Sequence, residues 1–201
     1  MIWVNSLMSI QGGDGVSGTT TREKILDAAN RLFYSEGVRG VSVDAVAEGA
    51  GVTKKTLYYH FRSKDDLIAA YLQARDQPNL ALFARWYETA EGGPADRTAA
   101  IFQKLARNAR HPQWNGCGFL RTVAELAAMP GHPAVAIGAA HKKKFEAWLA
   151  GCYAAAGLDR PEAIARGVAL LMEGAFAAML MHRDPSYAEA AGESARLLIA
   201  G

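Results

Sequence analysis

From residue 20 onward, apolar positions recur every three to four residues in block after block, and strand-type alternation is nearly absent. This periodicity, with abundant Ala, Leu, Glu, Lys and Arg, predicts an all-α chain. Ile25, Ala28, Ala29, Leu32 and Phe33 form the stripe of a first helix, opened by a Thr20–Glu23 capping box and closed at Gly37. Ser42 is a good N-cap for a short second helix whose narrow apolar face is Val43, Val46, Ala47 and Ala50. Gly51 permits a tight turn, Thr53 caps a third helix, and Leu57 and Phe61 anchor that helix inward. Ser63 with Asp66 caps a fourth helix that starts near Lys64 and carries Leu67, Ile68, Tyr71 and Leu72 on one side.

Pro78 lacks a backbone donor and crowds the preceding turn, so a kink or break is expected there. The apolar pattern resumes through Leu80, Leu82, Phe83 and Trp86, up to a Gly92-Gly93-Pro94 loop. A fifth helix is expected from about Ala95 to Arg110, then an Asn115-Gly116 turn and a sixth helix with Phe119, Leu120, Val123 and Leu126. A long seventh helix follows Pro133 and stops at Gly157; an eighth is capped by Asp159 and Glu162, and a last one runs through Leu197, Leu198 and Ile199. The expected organisation is a flexible tail over 1–19, a helical domain over 20–74 containing the helix–glycine–helix element, and a second helical domain over 75–201.

Composition narrows the function classes. Of 201 residues half are hydrophobic, enough for a core, and the formal net charge of +2 says little by itself. Cys117 and Cys152 form no C-x-x-C pair, which argues against a disulfide scaffold or zinc ribbon and fits a reducing cytosol. The start of the chain has apolar Ile2, Trp3 and Val4 but no basic stretch before them and no long apolar run after, so no secretory signal is expected. Gly12, Gly13, Gly15 and Gly18 make a flexible lead-in, and Met8 is as good a start as Met1. No uncharged apolar run is long enough to span a membrane, and a cytoplasmic location is expected. His111, His132 and His141 lack a second ligand at zinc-motif spacing, and no nucleophile elbow, P-loop or dinucleotide turn occurs, so neither catalysis nor a metal or cofactor is expected.

The chemistry concentrates between Thr53 and Lys64. No acidic residue occurs there, Lys54, Lys55, Arg62 and Lys64 are basic, and Thr53, Thr56, Tyr58, Tyr59 and His60 add neutral donors. On a helix, Lys54, Lys55, Thr56, Tyr59 and His60 share the face opposite Leu57 and Phe61. A helix entering the major groove needs donors aimed at base edges from its first turn and at phosphates from its flanks. The alternative is a solvated basic turn of an ordinary helical protein, and the helix–glycine–helix spacing weighs against it.

The run TREKILDAANRLFYSEGVRGVSVDAVAEGAGVTKKTLYYHFRSKDDLI closely resembles the N-terminal domain of the TetR (tetracycline-repressor) family. The most specific portion is Gly51 to Phe61, followed by Ser63-Lys64. More loosely, Gly116 to Phe119, Ala124 to Leu126, His132-Pro133 and Lys142 to Trp148 look like one subgroup of the family's C-terminal domains. The resemblance implies a homodimer in which each subunit reads half of a palindromic operator. By match to the family motif, Ser42 sits where phosphate contact is usual, and Thr53, Lys54, Lys55 and Thr56 occupy base-reading or groove-edge positions. Tyr58, Tyr59, His60 and Lys64 occupy positions that hold the DNA backbone. Many relatives carry a small residue at the position of Lys55, and some carry a polar one at Val43.

The same resemblance implies that 20–74 is a helix-turn-helix domain and that 75–201 is a helical ligand-binding and dimerisation domain whose last two helices pair with their copies. It also implies a repressor released by a small molecule; the large apolar side chains available as pocket walls point to a lipophilic or aromatic one. The eighth helix, apolar on most sides and with Gly167, Gly174, Ala175 and Ala178 for close approach, agrees with such pairing. Candidate pocket walls are Trp86, Phe102, Trp114, Phe119, Phe145, Trp148, Met172, Phe176 and Met179, and candidate polar groups are Gln103, Cys117, Arg121, Glu125 and His141. Read more simply, Arg121 and Glu125 are an intrahelical ion pair and Cys117 a small buried apolar residue. An alternative function is thiol-based redox sensing through Cys117 or Cys152, which requires a lowered thiol pKa. Ligand and DNA would oppose one another by linkage, with the fourth helix as lever and Pro78 as hinge.

Overall fold

The computed structural model describes residues 19–201, and the expectations for the first residues of the chain lie outside them. Nine helices and no strand occur among the described residues: α1 Thr21–Glu36, α2 Val43–Gly49, α3 Lys54–His60, α4 Lys64–Glu88, α5 Pro94–Ala109, α6 Gly118–Glu125, α7 Pro133–Ala155, α8 Pro161–His182 and α9 Ser186–Ala200. They fall into two compact units. Unit 1 holds the described residues up to Asp76 together with Gly118–Gly138; unit 2 holds Gln77–Cys117 and Ala139–Gly201. The expected division assigned everything after residue 74 to one domain. The contacts instead return α6 and the first six residues of α7 to the N-terminal unit.

In unit 1 the predicted stripe is the core. Ile25, Ala28, Ala29 and Phe33 of α1 are buried with Val46 and Ala47 of α2, Leu57 of α3, and Leu67 and Ile68 of α4. Its helix ends follow the local sequence. Thr20 Oγ1 accepts from the Glu23 amide at 3.3 Å while the Glu23 carboxylate takes the Thr20 amide at 2.8 Å. At the other end of α1, Gly37 has φ +85°, which a side chain rarely adopts.

Pro78 does not break α4, which is continuous from Lys64 to Glu88. A proline here removes one intrahelical hydrogen bond, and buried Tyr71, Leu72, Leu82 and Phe83 on either side of it hold the helix together. The boundary between the units falls between Asp76 and Gln77, next to this weakened turn.

Unit 2 is built on Ile101, Phe102, Leu105, Leu149 and Tyr153, all fully buried. α9 packs on α5 and α8; a Cβ at Gly192 would lie 2.9 Å from the Phe102 Cβ, so glycine permits the close approach. Thr98 donates to the Pro94 carbonyl at 2.7 Å, and its hydroxyl lies 2.9 Å from that of Tyr153, so neither buried hydroxyl is left unmet. Asp159 does not cap α8; the helix instead starts after Arg160, which has φ +53° and makes no side-chain cap bond. α8 has the length and hydropathy to cross a membrane, but only 33% of its most apolar window is buried. Two of its charges are paired within unit 2, Arg166 with Glu146 at 3.0 Å and Glu173 with Lys142 at 2.7 Å. Leu170 and Met181 on α8 and Leu197 on α9 are exposed apolar side chains.

Candidate nucleic-acid interface

The α2–turn–α3 element is assembled from short-range bonds its sequence encodes. Ser42 Oγ accepts from the Ala45 amide at 3.0 Å and Thr53 Oγ1 from the Thr56 amide at 3.1 Å, so both caps form. Between them Gly51 sits at φ +67°, and the Val52 amide reaches back to the Ala47 carbonyl at 2.9 Å. Leu57, fully buried, fixes the roll of α3. With seven residues in α3, that single anchor decides which side chains face outward.

The outward set is close to the one predicted. Ser42, Thr53, Lys54, Lys55, Tyr58 and Tyr59 are exposed, and Thr56, His60 and Lys64 are partly so. Tyr59 stands out at 86% exposed, its ring edge-on to that of His60 with centroids 5.2 Å apart. Ser42 Oγ serves the backbone as an acceptor, which leaves its proton available to a phosphate. Thr53 and Thr56 share one hydrogen bond between their hydroxyls at 2.8 Å, so the pair retains one donor.

The four cations differ. Lys54 Nζ lies 2.9 Å from Asp44 Oδ2 on α2, and this hydrogen bond and the carboxylate charge raise the lysine above its ordinary pKa. Its ammonium keeps two further protons for a phosphate or base. Among the described residues nothing pairs with the Lys55 ammonium or the Arg62 guanidinium, so both are free to meet a phosphate or base. Lys64 is partly withdrawn: Nζ donates to the Arg39 carbonyl at 3.3 Å, and burial lowers its pKa against the opposing charges of Asp65 and Glu125. Two further residues belong to this surface and escaped sequence reasoning. Asp44 restrains Lys54 from ten residues away, and Arg22 lies over the Phe61 ring at 5.0 Å.

The expected ligand-binding residues divide between the two units. Phe119, Arg121 and Glu125 belong to unit 1, and each is engaged there. Phe119 is buried core, Arg121 donates to the Tyr34 carbonyl at 2.6 Å, and Glu125 accepts the Arg39 amide at 2.9 Å. Both charged side chains of α6 therefore serve backbone groups far away in sequence, where an ion pair between them was expected. In unit 2, Trp86, Phe102, His141, Phe145, Met172 and Phe176 are buried. Phe83 packs against Trp86 and Phe145 at centroid distances of 5.6 and 5.2 Å, as core aromatic residues do.

Cys117 is more than a small apolar filler. Lys142 Nζ lies 3.2 Å from its Sγ, 2.7 Å from Glu173 and 5.2 Å from the Phe176 ring centre. Burial opposes the lysine's charge, but the neighbouring thiol and carboxylate more than offset it and raise the pKa. The Cys152 thiol is pushed up by burial, the opposite of what a reactive thiol needs. Trp114 lines a cavity of about 300 Å³ with Met179, Arg110, His111 and Arg183. Its buried indole N–H has no acceptor. Among the described residues no group of three His, Cys, Asp or Glu side chains could hold a metal ion.

A family model described as bacterial regulatory proteins, tetR family, matches residues 25–71, the helices and turn just described. The HTH-type transcriptional regulator SrpR of Pseudomonas putida is 40% identical over 58 residues, 29% of this chain and 27% of its own length. AcrR of Shigella flexneri is 47% identical over 49 residues, 24% of this chain and 23% of its own. The likeness to these curated relatives is thus confined to well under half of their length. Solved structures extend it across both units. A TetR-family transcriptional regulator from Streptomyces coelicolor shares 31% identity, with a TM-score of 0.78 over 90% of this chain and 94% of that one. A TetR-family regulator from Cytophaga hutchinsonii, at 18% identity and a TM-score of 0.79, shares the fold over 94% of this chain and 98% of its own. The capped, glycine-jointed reader and the helical body that follows it share one relationship: the chain belongs to the TetR family of DNA-binding transcriptional regulators.

Proposed function

We propose that this regulator is a repressor that binds a palindromic operator as a homodimer and is released by a small, largely apolar molecule. The observation that carries the DNA part is the outward face of α3, where Lys55 and Tyr59 stand exposed on a helix whose opposite side is locked by Leu57. DNase footprinting on the DNA flanking its own reading frame tests this. A protected site with two-fold symmetry and half-sites about one helical turn apart is expected. An unsymmetric footprint, or none, counts against the reading.

The half-exposed apolar face of α8 and α9 supports a second copy as the partner. Gly167, Leu170, Gly174 and Ala178 line a shallow groove there with Tyr187 of α9. Exposed leucines beside small residues suit close helix pairing and are costly to leave in water. Replacing Leu170 and Leu197, 69% and 73% exposed, with glutamate is expected to yield a monomer in sedimentation and to abolish two-fold protection of DNA. A dimer of undiminished affinity in that double variant would place the interface elsewhere.

For the effector, the cavity beside Trp114 and the cluster around Lys142 are the candidate polar contacts within unit 2. Both lie in a unit joined to the reader through the Asp76–Gln77, Cys117–Gly118 and Gly138–Ala139 bonds. Linkage requires a ligand that favours one arrangement of the chain to change operator affinity by its preference ratio. α4, with Pro78 just past the boundary, is the proposed lever, and the reader's place of action is the cytoplasm.

A further inference from the structure

The unit 1 contacts of α6 bear directly on how the reader is held. Tyr34 is in the last turn of α1, where carbonyls have no intrahelical partner, and Arg121 Nη1 supplies a charged donor to the Tyr34 carbonyl at 2.6 Å. Three residues on, Gly37 makes room for the Glu125 carboxylate: a Cβ there would lie 2.7 Å from Oε1. Glu125 Oε2 accepts the Arg39 amide at 2.9 Å, and Lys64 Nζ donates to the Arg39 carbonyl at 3.3 Å. Both backbone polar groups of Arg39 are therefore held by charged side chains, one from α6 and one from α4. Ser42, the cap of α2, follows three residues later. Toward the far end of the same segment, His132 is buried and its Nδ1 accepts the Ala134 amide at 3.1 Å, while its Nε2 lies 3.3 Å from Asp65 in the first turn of α4 without a hydrogen bond.

We propose that Glu125 and Arg121 are positioning residues for DNA reading. They clamp the Tyr34–Arg39 backbone from which α2 and α3 extend, and so set the angle at which α3 is presented. The clamp belongs to the segment 118–138, which unit 2 chain enters at Cys117 and leaves at Ala139. A change at either junction thereby acts on the start of α2 without passing through α4. This function needs a carboxylate at 125 for its acceptor strength, a small residue at 37 to admit it, and a cation at 121 for a helix C-terminus; all three are present. A charge-assisted bond to backbone N–H is about twice as strong as a neutral one, so the loss is measurable.

The proposal rests on the operator reading, and its test has one arm that needs no DNA. In the full chain, amide exchange at Arg39 is expected to quicken at least tenfold in Glu125→Ala and to be largely restored in Glu125→Gln, which keeps a neutral acceptor. With the operator duplex found by footprinting, Glu125→Ala and Arg121→Met are each expected to bind about tenfold more weakly while the slope of log affinity against log salt stays that of the parent, since no phosphate contact is removed. Unchanged Arg39 exchange overturns the clamp whether or not DNA binding has been found. Parental affinity in both variants, a shallower salt slope, or affinity loss that only tracks a fall in melting temperature overturns the positioning role. Failure of the parent to bind any duplex, with exchange behaving as stated, overturns the operator reading and confines the clamp to the fold.

Discussion

Replacing Lys55 and Tyr59 together with alanine is expected to weaken operator binding on the order of a hundredfold, with little change in melting temperature. The size follows from two contacts worth roughly 1–1.5 kcal/mol each, in the range of a net hydrogen bond to a charged or polar group. The selectivity follows from exposure. Tyr59 is 86% exposed and Lys55 has no partner among the described residues, so neither side chain supports the fold. Exposed substitutions of this kind change stability by about 0.5 kcal/mol or less. Removing the lysine is further expected to reduce the steepness of the salt dependence by about one unit, the signature of one fewer displaced counterion. Lys54→Ala is expected to cost less, because in the free protein the charge of Lys54 is already partly offset by Asp44 at 2.9 Å. Fluorescence anisotropy with a labelled operator across a salt series separates these cases. Parental affinity in the double variant would show that α3 is not the reading helix.

Leu57→Ala is expected to remove DNA binding by a different route, through loss of the fold of unit 1. Leu57 is fully buried and is the one α3 side chain wholly inside the unit. Truncating a buried leucine to alanine costs roughly 2–5 kcal/mol, because the cavity left behind collapses only in part. A seven-residue helix has little stability of its own, so packing supplies nearly all of what holds α3 in place. The two units need not melt together, and hydrogen exchange resolved by segment is therefore the proper measurement. Protection in α1 to α3 is expected to fall by the stated amount while α5, α8 and α9 keep theirs. Unchanged protection in α3 would mean that something other than Leu57 holds it.

The two variants show which parts of the interface can be read along the chain. Caps and turns depend on residues three or four positions apart, and their chemistry is local. Thr20 with Glu23, Ser42, Gly51, Thr53, and Ser63 with Asp66 all play the roles their spacing implies. The polar face of α3 was equally legible, since helical geometry and two inward anchors fix the remaining directions. The state of its charges was not. That Lys54 is paired and Lys55 free depends on where α2 places Asp44, and that Lys64 is half withdrawn depends on Arg39. Of the kink or break expected at Pro78, the break does not occur, for a related reason. Proline's local cost is constant, but whether a helix breaks there depends on the burial of the residues around it, which local pattern does not report.

The partners of α6 depend on long-range contacts in the same way. Its Arg121 and Glu125 are four residues apart, a spacing that favours an ion pair within a helix. In the folded unit, the Tyr34 carbonyl and the Arg39 amide lie within reach of Arg121 and Glu125, and a charge-assisted hydrogen bond to a backbone group is stronger than what an exposed ion pair gains. Those groups are 86 and 87 residues away in sequence. By itself, then, the sequence determined the helical class, the N-terminal caps of α1 to α4 and the outward face of α3, because each is set by periodicity and short-range bonding, while the resemblance of Gly51 to Phe61 to the TetR family pointed to DNA reading. The tertiary structure alone decided that residues 118–138 join the reader, which cations stand free, and which side chains clamp the approach to α2, because those depend on contacts between segments far apart in the chain.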